Sequence, residues 1–222
     1  MWKTILDLLF PIQCLGCGKE GNFICYSCFK KLPLNTKKSK NNLLIASYYK
    51  NLLIKQLIHK YKYDFIKDLA KPLGLLMVKK LQSQEVRPQK VGTFSKKVPL
   101  FRSDLYLVPV PLHKKRLKWR GFNQAELLAQ EISKKTNIPV INNLLIRIKH
   151  TLPQMKIQDA KQRKKNMNQA FALNPNFNNN LENKNIILID DISTTGSTMK
   201  ECTQVLKPLK PKNILGLVIA KG

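Results

Sequence analysis

The stretch Ile186-Ile187-Leu188-Ile189-Asp190-Asp191-Ile192-Ser193-Thr194-Thr195-Gly196-Ser197-Thr198-Met199 decides how this chain is read. An apolar run passes into two carboxylates and then into hydroxyls grouped around one glycine. A short unbroken apolar run predicts a buried parallel strand, and in open α/β sheets ligands lie just beyond the carboxyl ends of such strands. The carboxylates are therefore expected where a ligand would sit. Thr194, Thr195, Ser197 and Thr198 offer hydroxyls, and Gly196 permits close backbone approach. A helix beginning near Ser197 would turn free N–H groups and the positive end of its dipole toward a phosphate. Two adjacent acids suit the paired hydroxyls of a ribose, or a hard cation such as Mg²⁺. The plainer alternative is a strand-to-helix turn in which Asp191, with Ser193 or Thr195, caps a helix. A simple cap needs neither two acids nor a run of hydroxyls.

No G-x-x-x-x-G-K-[ST] occurs in the chain, which excludes a nucleotide P-loop. The segment resembles the phosphoribosyl-diphosphate binding loop of type I phosphoribosyltransferases. That resemblance names a ligand and not a reaction.

A second signal is Cys14-Leu15-Gly16-Cys17 followed by Cys25-Tyr26-Ser27-Cys28. Two C-x-x-C pairs this close predict a zinc site, because four thiolates close a tetrahedron and each x-x spacer forms a tight knuckle. Four sulfur ligands leave no open coordination position, so the zinc is expected to be structural. Gly16, Gly18 and Gly21 also spell G-x-G-x-x-G, but no strand precedes them and no long helix follows, so a dinucleotide loop is not expected. A disulfide pair would need an exported protein, and residues 1–10 are interrupted by Asp7 and lack a small-residue cleavage site. Cys202 is expected to be a small buried residue rather than a nucleophile.

At 222 residues the chain can bury one α/β core, while its cysteine-rich start is too short to fold without metal. It contains no apolar run of membrane-spanning length. Forty Lys plus Arg against 13 Asp plus Glu give a formal net charge of +27, which attracts polyanions, nucleic acid above all. Lysine outnumbers arginine and asparagine is abundant, so part of the excess reads as a compositional habit spread over a solvated surface. The clustered bases argue for more: His113-Lys114-Lys115-Arg116-Leu117-Lys118-Trp119-Arg120, and later Lys161, Arg163, Lys164 and Lys165. Single-stranded DNA needs a basic groove for phosphates and aromatic platforms for bases. Lys115, Arg116, Lys118, Trp119, Arg120 and Phe122 interleave the two; Trp119 is the stacking candidate, while Phe122 opens an apolar-faced helix and is expected in the core. Phe23, Tyr26 and Phe29 are expected to seal a small core in the zinc knuckle.

Patterning divides the chain into a zinc module with linker over 1–40 and an α/β domain over 41–222. A short amphipathic helix is expected over 2–10, stopped by Pro11, and a polar linker over 30–42. Strands are expected over 43–49, 105–111, 144–148, 186–189 and 214–220, and helices over 52–61, 65–81, 123–136 and from 197 to 206. Residues 82–103 read as a loop and 153–169 as a basic loop with a short helix. The alternation points to a mostly parallel sheet with flanking helices.

Taken in order, the cysteine pairs, Val108-Pro109-Val110-Pro111-Leu112-His113, Arg116, Arg120-Gly121-Phe122-Asn123-Gln124-Ala125, Thr151-x-x-Gln154, Arg163-x-x-Asn166, Ala170-Phe171 and Asp190-Asp191-x-x-Thr194-Thr195-Gly196-x-Thr198 resemble the ComF family, specifically its ComFC type. The resemblance spans essentially the whole chain. It implies a type I phosphoribosyltransferase-like fold with an N-terminal four-cysteine zinc module, in a cytoplasmic protein of natural transformation that handles incoming single-stranded DNA. Implied partners are a helicase-like protein and recombination mediators, with peripheral association at the inner membrane and no transmembrane segment. A transferase reaction does not follow from the fold. This chain departs from the usual pattern at Trp119, where a charged residue is commoner, and at Ile192-Ser193.

Roles follow for a phosphoribosyl-diphosphate site. The loop Thr194, Thr195, Gly196, Ser197 and Thr198, with Ser193, takes the 5-phosphate, Asp190 and Asp191 take the ribose hydroxyls, and Mg²⁺ accompanies the diphosphate. Arg116 and Arg120 are candidates for the diphosphate, with Arg163 as a lid contact. Lys114, Lys115, Arg116, Lys118, Trp119, Arg120, Arg163, Lys164 and Lys165 are the nucleic-acid candidates. Neither His113 nor His150 is expected to act as a base. The alternatives to a DNA-handling factor are a working phosphoribosyltransferase acting on a nucleobase, and a zinc-dependent partner adaptor.

Overall fold

A computed structural model describes residues 11–37, 42–85, 104–149 and 170–222. The helix expected over 2–10, His150 and the basic residues Arg163, Lys164 and Lys165 lie outside the described residues. The strands are β1 (Leu43–Tyr48), β2 (Leu105–Pro109), β3 (Leu145–Arg147), β4 (Phe171–Leu173), β5 (Asn185–Ser193) and β6 (Asn213–Lys221). The helices are α1 (Tyr26–Lys30), α2 (Leu52–Tyr63), α3 (Ala70–Glu85), α4 (Lys114–Arg120), α5 (Gln124–Thr136) and α6 (Ser197–Leu206).

The sheet runs in the order β1-β6-β5-β2 with every pair parallel, while β3 and β4 form a separate antiparallel ribbon. Parallel strands buried on both faces need apolar residues at odd and even positions alike, and β5 supplies them. Ile187 and Ile189 pack into the core under α2, α3 and α5, beside Leu57, Leu73 and Leu128. Ile186 and Leu188 face the opposite core with Met199, Cys202 and Leu206 of α6 and Phe171 of β4. At the amino ends of the strands, Asn213 Nδ2 donates to Asn185 Oδ1 at 2.8 Å and Asn185 Nδ2 donates to Asp104 Oδ2 at 2.7 Å. This polar ladder across β6, β5 and the start of β2 pins the register and leaves the carboxyl ends for the loops.

Three local expectations are corrected. Instead of one helix over 65–81, Phe65 adopts a left-handed φ of 57° and a 3-10 turn, Lys67–Leu69, precedes α3. The expected linker is held down over 33–37: Asn35 N donates to Ala46 O at 2.8 Å and the buried Lys80 ammonium donates to Lys37 O at 3.0 Å. A backbone that satisfies its hydrogen bonds on β1 has no reason to swing free. The acid pair, expected beyond the strand, lies within it, because β6 keeps pairing as far as Ser193↔Lys221.

Candidate functional site

β5 delivers the acid pair to the carboxyl edge of the sheet. Asp190 Oδ1 accepts from Asp191 N at 2.8 Å, and Asp191 Oδ1 accepts from Ile192 N at 2.7 Å, so both carboxyls are fixed by their own backbone. Desolvation, reinforced by the neighbouring Asp191 charge, pushes the Asp190 carboxyl up to about 7. After Ser193 the chain turns through Gly196, whose φ of 80° is left-handed and which caps α6 with no side-chain hydrogen bond. An added Cβ there would meet nothing within 4 Å. Thr195 Oγ1 and Ser197 Oγ share a hydrogen bond at 2.7 Å, and Thr195 Oγ1 also accepts from Ser197 N at 3.3 Å. The loop thus groups hydroxyls and helix-terminal N–H groups beside open space at Gly196, a chemistry that suits an oxyanion. Ser193 departs from this grouping: it is 5% exposed within β5, and its Oγ has no hydrogen-bond partner among the described residues.

Cations gather opposite the acids. Both Asp191 carboxylate oxygens lie 2.9 Å from Lys62 Nζ, which comes from the last turn of α2. Desolvation works against the Lys62 ammonium, but Asp191 and then Asp190 outweigh it and hold its pKa above the usual lysine value. Arg147, at the end of β3, is pushed down to about 10 by burial and by Arg116, with Asp190 opposing. Arg120 is lowered by burial, with Asp191 opposing and Arg116 adding to the effect. Its Nε is buried without a hydrogen-bond partner among the described residues. Four cations thus crowd two carboxyls, and an unused guanidinium N–H fits an anionic ligand. Lys62 and Arg147 carry no local sequence signal. One lies in the last turn of an amphipathic helix and the other ends a three-residue strand, and only the fold brings them to Asp190 and Asp191.

The basic run 114–120 is a helix, and its period sorts the candidates. Arg116 and Arg120, four residues apart on one face, are half-buried, while Lys114, Lys115, Lys118 and Trp119 are exposed. His113 Nδ1 accepts from Lys115 N at 3.2 Å, so this histidine caps α4. The Gly121-Phe122-Asn123-Gln124 motif is architectural. Gly121 ends α4 at φ 78°, and the buried Phe122 ring stands 6.0 Å from Tyr61. Asn123 Oδ1 caps α5 by accepting from Ala125 N at 3.1 Å, while its Nδ2 donates to Val110 O at 3.1 Å. Tyr61 Oη donates to Gln124 O at 2.8 Å and locks α2 to α5. Cys202 is fully buried, its thiol pushed well above the ordinary range by burial and by Asp190, as an inert core residue should be.

The four N-terminal cysteines converge. Their Sγ atoms lie within 4.8 Å of one another, and those of Cys17 and Cys25 are 3.6 Å apart. Tetrahedral zinc with Zn–S near 2.3 Å needs S···S of about 3.8 Å. Cys14 Sγ accepts from Gly16 N at 3.4 Å and Cys25 N at 3.3 Å, and a Cβ on Gly16 would stand 2.8 Å from Cys28 Sγ. Burial opposes ionisation of Cys14, yet these backbone donors push its thiol down to about 6, while sharing hydrogens with Cys17 and Cys25 pushes Cys28 up to about 12. Four thiols this close cannot all ionise without a cation among them, so the donor set fits structural zinc held by Cys14, Cys17, Cys25 and Cys28. Cys14, Ile24 and Leu32 join the main core, and Phe23 and Phe29 pack against it. Tyr26, expected to seal the knuckle, is instead 71% exposed, with Lys30 Nζ 4.4 Å from its ring centroid.

Among the described residues no helix is long and apolar enough to cross a membrane. The family model described as the phosphoribosyl transferase domain matches residues 123–221, from the cap of α5 to the end of β6. Competence protein F of Haemophilus influenzae is 33% identical over 208 residues, covering 92% of this chain and 82% of that protein. Competence protein ComFC of Bacillus subtilis is 38% identical over 111 residues, covering 49% of this chain and 40% of its own. DNA utilization protein YhgH of Escherichia coli is 28% identical over 197 residues, covering 87% and 77%. With its parallel sheet, its acid pair at the strand ends and its clustered cysteines, the chain belongs to the ComF family, of the ComFC type, and has a type I phosphoribosyltransferase-like fold.

Proposed function

We propose that this protein serves natural transformation by handling incoming single-stranded DNA in the cytoplasm, and that its pocket binds phosphoribosyl diphosphate with Mg²⁺. The observation that carries the pocket reading is the meeting of Asp190, Asp191 and the open Thr194–Thr198 loop with Lys62, Arg116, Arg120 and Arg147. The loop takes the 5-phosphate, the acid pair takes the ribose hydroxyls, and the arginines with Lys62 take the diphosphate. Mg²⁺, held through the diphosphate and the acid pair, would neutralise charge on the ligand. For the strand, Lys114, Lys115 and Lys118 supply phosphate contacts and Trp119 a stacking surface on the outward side of α4. The names of the relatives, two competence proteins and a DNA utilization protein, support this role. A helicase-like protein and recombination mediators are the partners such a role calls for.

Calorimetric titration with phosphoribosyl diphosphate and Mg²⁺ tests the pocket, with Asp190→Asn/Asp191→Asn expected to abolish binding. Anisotropy with a labelled oligo-dT tests the strand. Salt-sensitive binding, tighter than to duplex and weakened by Lys118→Glu, is the expected result. Turnover is the second reading, favoured by Asp190, whose carboxyl near 7 can exchange a proton at neutral pH. Diphosphate release in the presence of candidate bases, absent in the Asp190/Asp191 variant, would establish it.

A further inference from the structure

Arg120 stands between two features of the surface. On one side its Nε is buried without a hydrogen-bond partner among the described residues, within the electrostatic reach of Asp191 and Arg116. On the other, its central carbon lies 5.8 Å from the Trp119 ring centroid and 5.9 Å from that of Phe65. The two rings meet edge-on, with centroids 4.8 Å apart and planes at 89°. Phe65 packs against the main core, whereas Trp119 is 65% exposed. The left-handed backbone of Phe65 is rare for a bulky side chain and persists only where its surroundings hold it. Phe65 therefore buttresses an indole that stands in solvent, on a helix whose seven residues include five bases and no acid. A nucleobase stacking there would bring its phosphates to Lys115, Lys118 and Arg120.

One planar guanidinium cannot serve both places. Turned to a diphosphate in the pocket, its fork binds two phosphate oxygens; turned to the aromatic corner, it lies over the rings beside a strand phosphate. We propose that Arg120 is shared between the pocket and the corner formed by Phe65 and Trp119, so that a diphosphate-bearing ligand and a single DNA strand bind antagonistically. This rests on the pocket and strand assignments above and adds their coupling, which must be reciprocal.

The test is anisotropy of labelled oligo-dT with and without saturating inorganic diphosphate and Mg²⁺, against sulfate at matched ionic strength. Wild type is expected to bind the strand about fivefold or more weakly with diphosphate. Lys118→Met should weaken strand binding yet keep that ratio, whereas Arg120→Met should bring the ratio to about one. Phe65→Asn, which tolerates the left-handed backbone, should weaken strand binding by about tenfold and leave diphosphate affinity unchanged, while the lost ring packing lowers Tm. Equal strand affinity with and without diphosphate, when each binds alone, overturns the antagonism and leaves the parent assignments standing. A ratio that persists in Arg120→Met, or unchanged strand affinity in Phe65→Asn, overturns it too. Should calorimetry find no diphosphate binding, or anisotropy no strand binding, the corresponding parent assignment falls and the coupling with it.

Discussion

Lys62 holds Asp191 by both carboxylate oxygens, at 2.9 Å each, across 129 positions of sequence. Asp191 is 7% and Lys62 23% exposed at the side chain, so the pair is largely withdrawn from water. It ties the end of α2 to the end of β5, next to Asp190.

Removing one partner of such a pair strands the other. Lys62→Met is expected to destabilise the fold by about 2–3 kcal/mol, below the full figure for a buried pair because Lys62 reaches solvent. Lys62→Met/Asp191→Asn should recover most of that loss, and urea denaturation of the four species gives the coupling directly. Additive losses would show that the pair contributes nothing.

Asp190 makes stability and ligand binding respond oppositely to pH. Its folded carboxyl near 7 lies above the unfolded value of about 3.9, so folding favours the protonated form. The contribution is present below about pH 4 and is lost as pH rises to about 7. Asp190→Asn should therefore raise Tm by about 2 °C or more at pH 8 and change it little at pH 4. Affinity for phosphoribosyl diphosphate with Mg²⁺, which uses the ionised acid, should climb from pH 6 to 8 in wild type and stay low in the variant.

The cysteine cluster should hold one zinc per chain, measured by metal analysis of purified protein. Gly16→Ala, whose Cβ would press on Cys28 Sγ, should lower zinc retention under chelator challenge without touching a ligand. Because Cys14 lies in the main core, chelation should lower the Tm of the whole chain rather than melt the module alone.

His113 caps α4. His113→Ala should cost about 1 kcal/mol of stability by freeing the Lys115 N–H, and His113→Asn should restore most of it. Neither change should alter affinity for the pocket ligand or for the strand, which the titrations above measure.

Some of the site was legible because its signals are local. The apolar run before Asp190, the glycine after Thr195 and the paired cysteines each express a short-range rule: burial on both faces of a strand, a left-handed turn, a tetrahedral thiolate site. The end of β5 was harder, since two adjacent acids look like the end of a strand until Val218 to Lys221 of β6 are known to pair beside them. The basic run was legible as charge but not as two faces. Its helical period separates Arg116 and Arg120 from Lys118 and Trp119 only once α4 has a pocket on one side.

The amino-acid sequence by itself determined the strand, loop and helix around Asp190–Thr198, the clustering of four cysteines and the positive balance of charge, because each depends on neighbours a few residues apart. Tertiary structure alone decided that Lys62 and Arg147 come to Asp191 and Asp190, that Phe65 buttresses Trp119, and that the cysteine module shares the main core. Those contacts arise when α2, β3 and β5 are packed around one sheet, and no spacing along the chain encodes a distance set by packing across it.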